Sequence, residues 1–424
     1  MTRHRVVVTG LGIIAPNGHG LDAYERALRD GVSGIRHIPR LAELGFACQV
    51  GGVPQGVDEL KARYFSEDDA LALNQNMVFA NIAALDCWRV AGLPEPGADR
   101  DRDTGAVIGT GMGGPDTVCE RITPMVNAGK VRKMGSTMVE QSMSSSVSAK
   151  TAGLLGLGNQ VTTNSSACTT GCEAVVMAAE RIRHGLAKRM LAGGSESASP
   201  YVWGTFDAMR VLNKNHNDAP EQASRPLSNS AAGFIPGSGA GLLMLENLDG
   251  ARARGARIYA EVLGGAVNCG GHRGGGSMTA PNPQAVQECI RMALGDTQTR
   301  PRAIDAVNGH LTGTFADPIE VANWSQALER PPEDFPWINA TKSLIGHGLG
   351  AAGGMELVAV VLQLARRFVH GSANCEDLHE KLAAFAPRVP HRTVEPERLD
   401  VIAKASFGFG DVNACVILKR WSEA

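Results

Sequence analysis

The chain has 424 residues, 43% of them hydrophobic and 20% charged, with a formal net charge of −2. That composition supplies a large globular core, and the near-neutral charge argues against nucleic acid or an anionic membrane as partner. Nine cysteines, odd in number and scattered, suggest neither a disulfide framework nor a C-x-x-C zinc pair. The opening MTRHRVVVTGLGII puts basic residues before an apolar run that glycines cut short. It reads as a first strand, Arg5 to Ile14, rather than a signal peptide. A turn at Pro16-Asn17-Gly18 leads to a predicted helix, Leu21 to Asp30. Residues 35–70 are mixed and read as surface. Ser66, followed by Glu67, Asp68 and Asp69, predicts an N-cap opening a long helix to about Val90. Thr104 to Gly114 (TGAVIGTGMGG) reads as a buried strand entering a glycine turn. Residues 115–158 read as helical and polar, with a basic cluster at Lys130, Arg132 and Lys133. Val161 to Glu180 starts with β-formers and then turns helical, with Ala174, Ala178 and Ile182 at i, i+4 and i+8. Met190 to Glu196 and Ala240 to Glu246 are further strands.

Near residue 254 the pattern begins again, which suggests two halves, residues 1–253 and 254–424. The second half reads as strand Arg257 to Gly264, a Gly-rich loop Cys269 to Gly276, helix Asn282 to Leu294 and strand Ala303 to Gly309. A short strand Trp337 to Ala340, a helix from about Gly350 to Arg366 and a closing pair, Leu399 to Ala405 with Ala414 to Lys419, follow. Strands alternate with helices in both halves, so the fold class is α/β. No apolar stretch approaches the roughly 20 residues that span a bilayer, and a cytoplasmic setting is the default.

Cys168 lies at the strand-to-helix turn within SSACTTG. A thiol there faces the positive end of a helix dipole and unpaired N–H groups, which favours the nucleophilic thiolate. The plain alternative is a small buried apolar cysteine. Two histidines weigh against it: His310 in NGHLTGT and His347 in TKSLIGHGLGAAGG, each at a strand end beside small residues. Cysteine and two histidines also suit a metal. The wide gaps match no zinc signature, however, and small neighbours would leave the ligands unsupported, so no metal is expected.

With these motifs in view, the chain resembles the elongating β-ketoacyl-acyl carrier protein synthases, condensing enzymes of the thiolase fold. The likeness runs from VVVTGLGIIAPNG through the Cys168 motif, AGGSE, ASRP, GFIPGSGAGLLMLE and both histidine motifs to SFGFG. It implies duplicated halves in a five-layer α-β-α-β-α body and a homodimer, or a heterodimer with a related ketosynthase-like subunit. It also implies acyl carrier protein as partner and no cofactor of the enzyme's own, since substrates ride on the carrier's phosphopantetheine. By resemblance, Cys168 takes the acyl group, and the N–H groups of Cys168 and Phe409 bind the oxyanion. His310 and His347 donate to the malonyl thioester, while Lys342 and Glu356 orient them as a buried pair. Thr312 and Thr314 match the threonines that hold the phosphopantetheine arm, and Phe409 matches the gate to the acyl pocket. Met112, Met138, Glu140, Ser142, Val202 and Phe206 match acyl-pocket positions, and Arg132, Lys133 and Arg210 match the carrier-docking positions.

The chain departs from the family pattern in several places. LTGTFADP is one residue short and carries Leu311 for glycine, and SFGFGDVN carries Asp411 and Val412 for glycine and threonine. Glu67, Asp68 and Asp69 stand where relatives are basic. Glu140 and Gln141 are polar in a stretch that lines an apolar pocket across the dimer, a costly placement unless they are paired. These differences tilt the reading from housekeeping fatty-acid elongation towards a specialised polyketide or polyene pathway. The alternatives are a thiolase-like enzyme using coenzyme A and a non-catalytic, chain-length-factor-like partner subunit.

Overall fold

The computed structural model describes residues 3–423. Ten strands make its main sheet path. In the first half they are β1 (Val6–Ala15), β2 (Thr104–Gly109), β3 (Val161–Thr162), β4 (Arg189–Glu196) and β5 (Gly239–Asn247). In the second they are β6 (Ala260–Cys269), β7 (Ala306–Asn308), β8 (Trp337–Asn339), β9 (Val401–Gly408) and β10 (Val412–Arg420). The first half is ordered β1-β5-β4-β2-β3 and the second β6-β10-β9-β7-β8. Both orders run first, fifth, fourth, second, third strand. Both pair antiparallel twice and then parallel twice. The halves therefore share one topology, and they join where Val6, Val7 and Val8 of β1 pair with Val262, Glu261 and Ala260 of β6.

Two helices lie between the halves, α2 (Thr170–Arg183) and α5 (Ala352–Arg366). Each touches strands of both halves and the other helix. The outer faces are covered by α1 (Gln75–Val90) on one side and by α3 (Pro283–Thr297) with α4 (Asp317–Leu328) on the other. This is the expected layering of helix, sheet, helix, sheet, helix. Strands covered on both faces read as continuous apolar runs, as in VVVTGLGIIA, which is buried throughout. The central helix is the extreme case, since Ala352 to Leu364 are all buried. Together with the turn before it, Leu349–Arg366 has 18 residues at mean hydropathy 1.3 and is 89% buried. It meets the length and composition of a membrane span, contrary to the sequence reading, but it is the core of the body.

Three element boundaries differ from expectation. The long helix from Ser66 is two helices. Ser66 caps only Glu67–Leu71, accepting from Asp69 N, and Asn74 caps α1 by accepting from Met77 N. Residues 35–70 are not all surface: Ile35, Leu41, Cys48 and Val50 are buried with Trp203 and Phe234. Strand β6 begins at Ala260, later than Arg257, and runs on to Cys269.

The two central helices meet main chain to main chain. A methyl group on Gly171 of α2 would overlap the backbone of Gly353 and Gly354 of α5. The AAGG run is thus a helix-crossing signal. Replacing Gly171 with Ala should destabilise the protein by about 1–3 kcal/mol through overpacking. Urea unfolding measures this, and an unchanged midpoint would show that the helices can part freely.

Candidate active site

The nucleophile turn is wound tightly before α2 begins. Ala167 takes a positive φ of 49°, and Ser166 N donates to Thr170 Oγ1 at 2.8 Å. Glu173, in the first turn of α2, accepts from Ser166 Oγ and, at 3.2 Å, from Asn164 Nδ2. Gly408, at the end of β9, packs on this turn, where a methyl would stand 3.1 Å from Cys168 N. The fit leaves Cys168 half-buried, with the main-chain N–H groups of Phe409 and of Cys168 itself directed at its sulfur.

Burial pushes the Cys168 thiol up to about 11, although the Lys342 charge and the Phe409 N–H pull it down. Burial therefore opposes the thiolate that the helix end was expected to favour. His347 Nε2 lies 3.2 Å from the sulfur. Its Nδ1 accepts from Leu349 N at 3.1 Å, so the neutral ring carries its proton on Nε2, pointing at Cys168.

His310 meets His347 edge to face, with ring centroids 5.3 Å apart. The sulfur and one nitrogen of each ring lie within 4.8 Å of one another. This grouping is compact enough for a metal, but the donors do not suit one. A metal at His347 Nε2 needs the lone pair there, and Nδ1 would then have to turn a proton towards the Leu349 N–H. Burial, and then the nearby Lys342 charge, hold both histidines well below the usual imidazole range. The rings are neutral hydrogen-bonding groups.

Behind them Lys342 and Glu356 form the expected buried pair, with Nζ 2.5 Å from Oε1. The sequence reading missed a second lysine. Lys404, in β9 and fully buried, puts its Nζ 2.8 Å from Glu356 Oε2. That contact is an ion pair without hydrogen-bond alignment. A lysine inside the apolar strand VIAKASFG was the available signal. Two carboxylates of α4 were also missed. Glu320 accepts from His310 N at 2.6 Å and Leu311 N at 2.8 Å. Asp317 accepts from Thr312 N at 2.8 Å, Gly313 N at 3.0 Å and Leu227 N at 2.8 Å. Acids in a first helical turn were legible, but their grip on the preceding loop was not. Burial raises the Glu320 carboxyl to about 7, against the pull of those N–H groups. Glu196 is a similar clasp, accepting from Gly111, Met112 and Gly350 N.

Leu311 takes the left-handed φ of 25°, and its fully buried side chain packs among Val307, Val321 and Trp324. Thr312 and Thr314 are half-buried, with hydroxyls 3.0 Å apart. Phe409 is half-buried beside Phe206 at 6.1 Å. Phe206 meets Phe234 at 5.4 Å, and Phe234 meets the His347 ring at 5.2 Å. Phe234, also missed, completes this aromatic wall. Asp411 does not enter the gate. At φ 61° its carboxylate is buried and accepts from His272 N at 3.0 Å and Asn282 N at 2.7 Å, tying the Gly-rich loop to the gate.

The remaining candidates are spread out. Val202 is buried beside Trp203, and Met112 is exposed. Met138 is buried, Glu140 exposed and Ser142 half-buried, all on the helix Met138–Ser142. Gln141 is buried but fully paired, accepting from Arg121 at 2.8 Å and donating to Leu71 O at 2.7 Å. The expected desolvation cost of this polar stretch is therefore absent within one chain. Arg132, Lys133 and Arg210 are exposed, and no ion pair engages them among the described residues.

Residues 3–251 match the family model described as the N-terminal domain of beta-ketoacyl synthase, and residues 259–376 match its C-terminal domain. The chain is 35% identical to the chloroplastic 3-oxoacyl-[acyl-carrier-protein] synthase I of Arabidopsis thaliana, over 98% of this chain and 86% of that one. It is 32% identical to 3-oxoacyl-[acyl-carrier-protein] synthase 2 of Vibrio cholerae, over 99% and 100%. Among solved structures it is similar to the ishigamide ketosynthase/chain length factor, with TM-score 0.88 and 29% identity over 99% of this chain and 100% of that one. It is also similar to a beta-ketoacyl synthase of Burkholderia phymatum, with TM-score 0.90 and 26% identity over 100% of both.

Two measurements follow from this geometry. With a thiol near 11, iodoacetamide alkylation of Cys168 should rise about tenfold per pH unit between about pH 6 and pH 9. A plateau by about pH 8 would mean that the thiolate is already stabilised. Replacing Asp411 with Ala removes two hydrogen bonds and keeps the strained φ, so hydrogen exchange at His272 N and Asn282 N should quicken. Unchanged exchange there would sever Asp411 from the loop.

Proposed function

The chain belongs to the β-ketoacyl synthase family, and we propose how its residues divide the condensation between them. It is an acyltransferase that joins an acyl group to a malonyl unit on acyl carrier protein in fatty-acid or polyketide synthesis. The observation that carries the assignment of roles is the meeting of Cys168, His310 and His347 at one point where the two halves face each other. The substrates arrive on the carrier's phosphopantetheine, and the enzyme adds no cofactor of its own.

In the first half-reaction Cys168 attacks the incoming thioester carbon, and its proton leaves with the pantetheine sulfur. The thiol's raised proton affinity makes a free thiolate scarce, so the sulfur reacts as it loses its proton. The His347 Nε2–H donates to the developing thiolate. The oxyanion sits on the N–H groups of Cys168 and Phe409. In the second half-reaction the arm lies along Thr312 and Thr314. The neutral His310 and His347 donate to the malonyl thioester oxygen, carbon dioxide leaves, and the enolate carbon attacks the acyl-Cys168. The carbon–sulfur bond to Cys168 breaks and the thiolate is released. Burial first, and then the Lys342 and Lys404 charges, keep both rings neutral at physiological pH, so each donates through its single N–H.

A second ketosynthase-fold subunit completes the acyl pocket. Among the described residues strand β3 leaves the outer edge of the sheet unpaired, and Met112, Val118, Val139 and Met143 are large apolar side chains left exposed. Glu140 is exposed next to Val139 on the helix Met138–Ser142. A pocket closed there carries a carboxylate, which favours a polyketide or polyene chain over a saturated one. Arg132, Lys133 and Arg210 attract the acidic carrier, in a contact that weakens with salt. All nine cysteines are free, which suits a reducing, cytoplasmic setting.

The test is intact-protein mass spectrometry after exposure to saturated, polyunsaturated and aryl acyl-carrier proteins. Cys168→Ala should show no adduct, and a polyunsaturated or aryl chain should load best. Best loading of a saturated chain, unaffected by Glu140→Leu, would return the protein to ordinary fatty-acid elongation. His310→Ala should load normally yet decarboxylate malonyl-carrier protein about 100- to 1,000-fold more slowly, whereas His347→Ala should be slowed in both half-reactions. No adduct with any chain would leave the partner-subunit reading. Native mass spectra should show a dimer.

A further inference from the structure

Lys404 occupies a place that the reaction as described does not use. It lies on β9 opposite Asn308, the last residue of β7 and two residues before His310. Its ammonium is surrounded by oxygen: Glu356 Oε2 at 2.8 Å, the Gly309 carbonyl at 3.5 Å and its neighbour's carbonyl at Ala405. Glu356 is shared, with its other oxygen on Lys342. The ammonium therefore links the carboxylate behind the histidines to the peptide from which His310 projects. A fully buried lysine is rare unless such links hold it.

We propose that Lys404 is a positioning residue for decarboxylation: its buried ammonium clamps the Gly309 carbonyl to Glu356, holds the His310 backbone in register, and supplies a fixed positive charge behind both histidines. This inference rests on the condensing role above. The charge has a direction that can be tested. The groups facing His310 and His347 are Lys342, Lys404, the Cys168 thiol and each other's ring, with Glu320 on the His310 main chain and Glu356 between the lysines. Lys404 opposes protonation of both rings, so removing it raises their proton affinity.

Lys404→Met keeps the length of the side chain and removes the charge. In the full-length enzyme it should load an acyl group on Cys168 within about threefold of wild type, yet decarboxylate malonyl-carrier protein on the order of 100-fold more slowly. The low-pH limb of decarboxylation should move to higher pH, while Lys404→Arg leaves it near the wild-type position. If Lys404→Met does not fold, Lys404→Ala in ethylammonium chloride replaces it, and decarboxylation should return with the added cation. The proposal is overturned by a wild-type rate and pH profile in Lys404→Met. It is equally overturned by a matched loss of loading and decarboxylation with no change of profile, or by a folded Lys404→Ala that ethylammonium does not revive. Wild-type enzyme that neither loads nor decarboxylates would instead overturn the condensing role.

Discussion

The site depends on how closely two helices can approach. α2 and α5 touch through backbone because Gly171 faces Gly353 and Gly354. The turn before α2 holds Cys168, and the turn before α5 holds His347. A wider crossing would draw the Nε2 proton away from the sulfur, which it now meets at 3.2 Å. Packing density in the core therefore becomes a distance in the active site, and a methyl group is large on that scale.

The second constraint is electrostatic. Burial raises the thiol and depresses both imidazoles, so the three side chains that meet here rest uncharged. The charges lie one layer back, on the buried Lys342, Lys404 and Glu356. Uncharged groups in front of a fixed charged layer can receive an anionic malonyl thioester without first giving up a counter-ion.

The candidate residues that the structure brings together were legible because chemistry restricts their surroundings. Cys168, His310 and His347 each lie among small residues at a strand end, and the glycines that permit the close approach are in the same motifs. Lys404 was hidden because its meaning lies in pairing across β7 and β9, which no local pattern carries. Glu320 and Asp317 looked like ordinary helix-start acids. Their targets are N–H groups several residues earlier, which only the folded loop brings within reach. The thiolate expectation failed for a related reason: a helix end is visible in the sequence, whereas the depth of burial is not. The split of the Ser66 helix was likewise local, since two capping residues eight positions apart each began their own helix.

The shared topology of the halves bears on how the chain is closed. Strands β1 and β10 flank β6, and Val8 and Arg420 both pair with Ala260. Two strand spacings separate them, on the order of 10 Å. A short peptide could bridge that gap, and the loop between α-helical Leu248–Ala253 and β6 could be opened instead, with every strand pair kept. In this sense the order of the halves along the gene is arbitrary. The halves meet side by side at β1 and β6, so a circularly permuted chain that begins with the histidine half should keep every strand pair and assemble the same site.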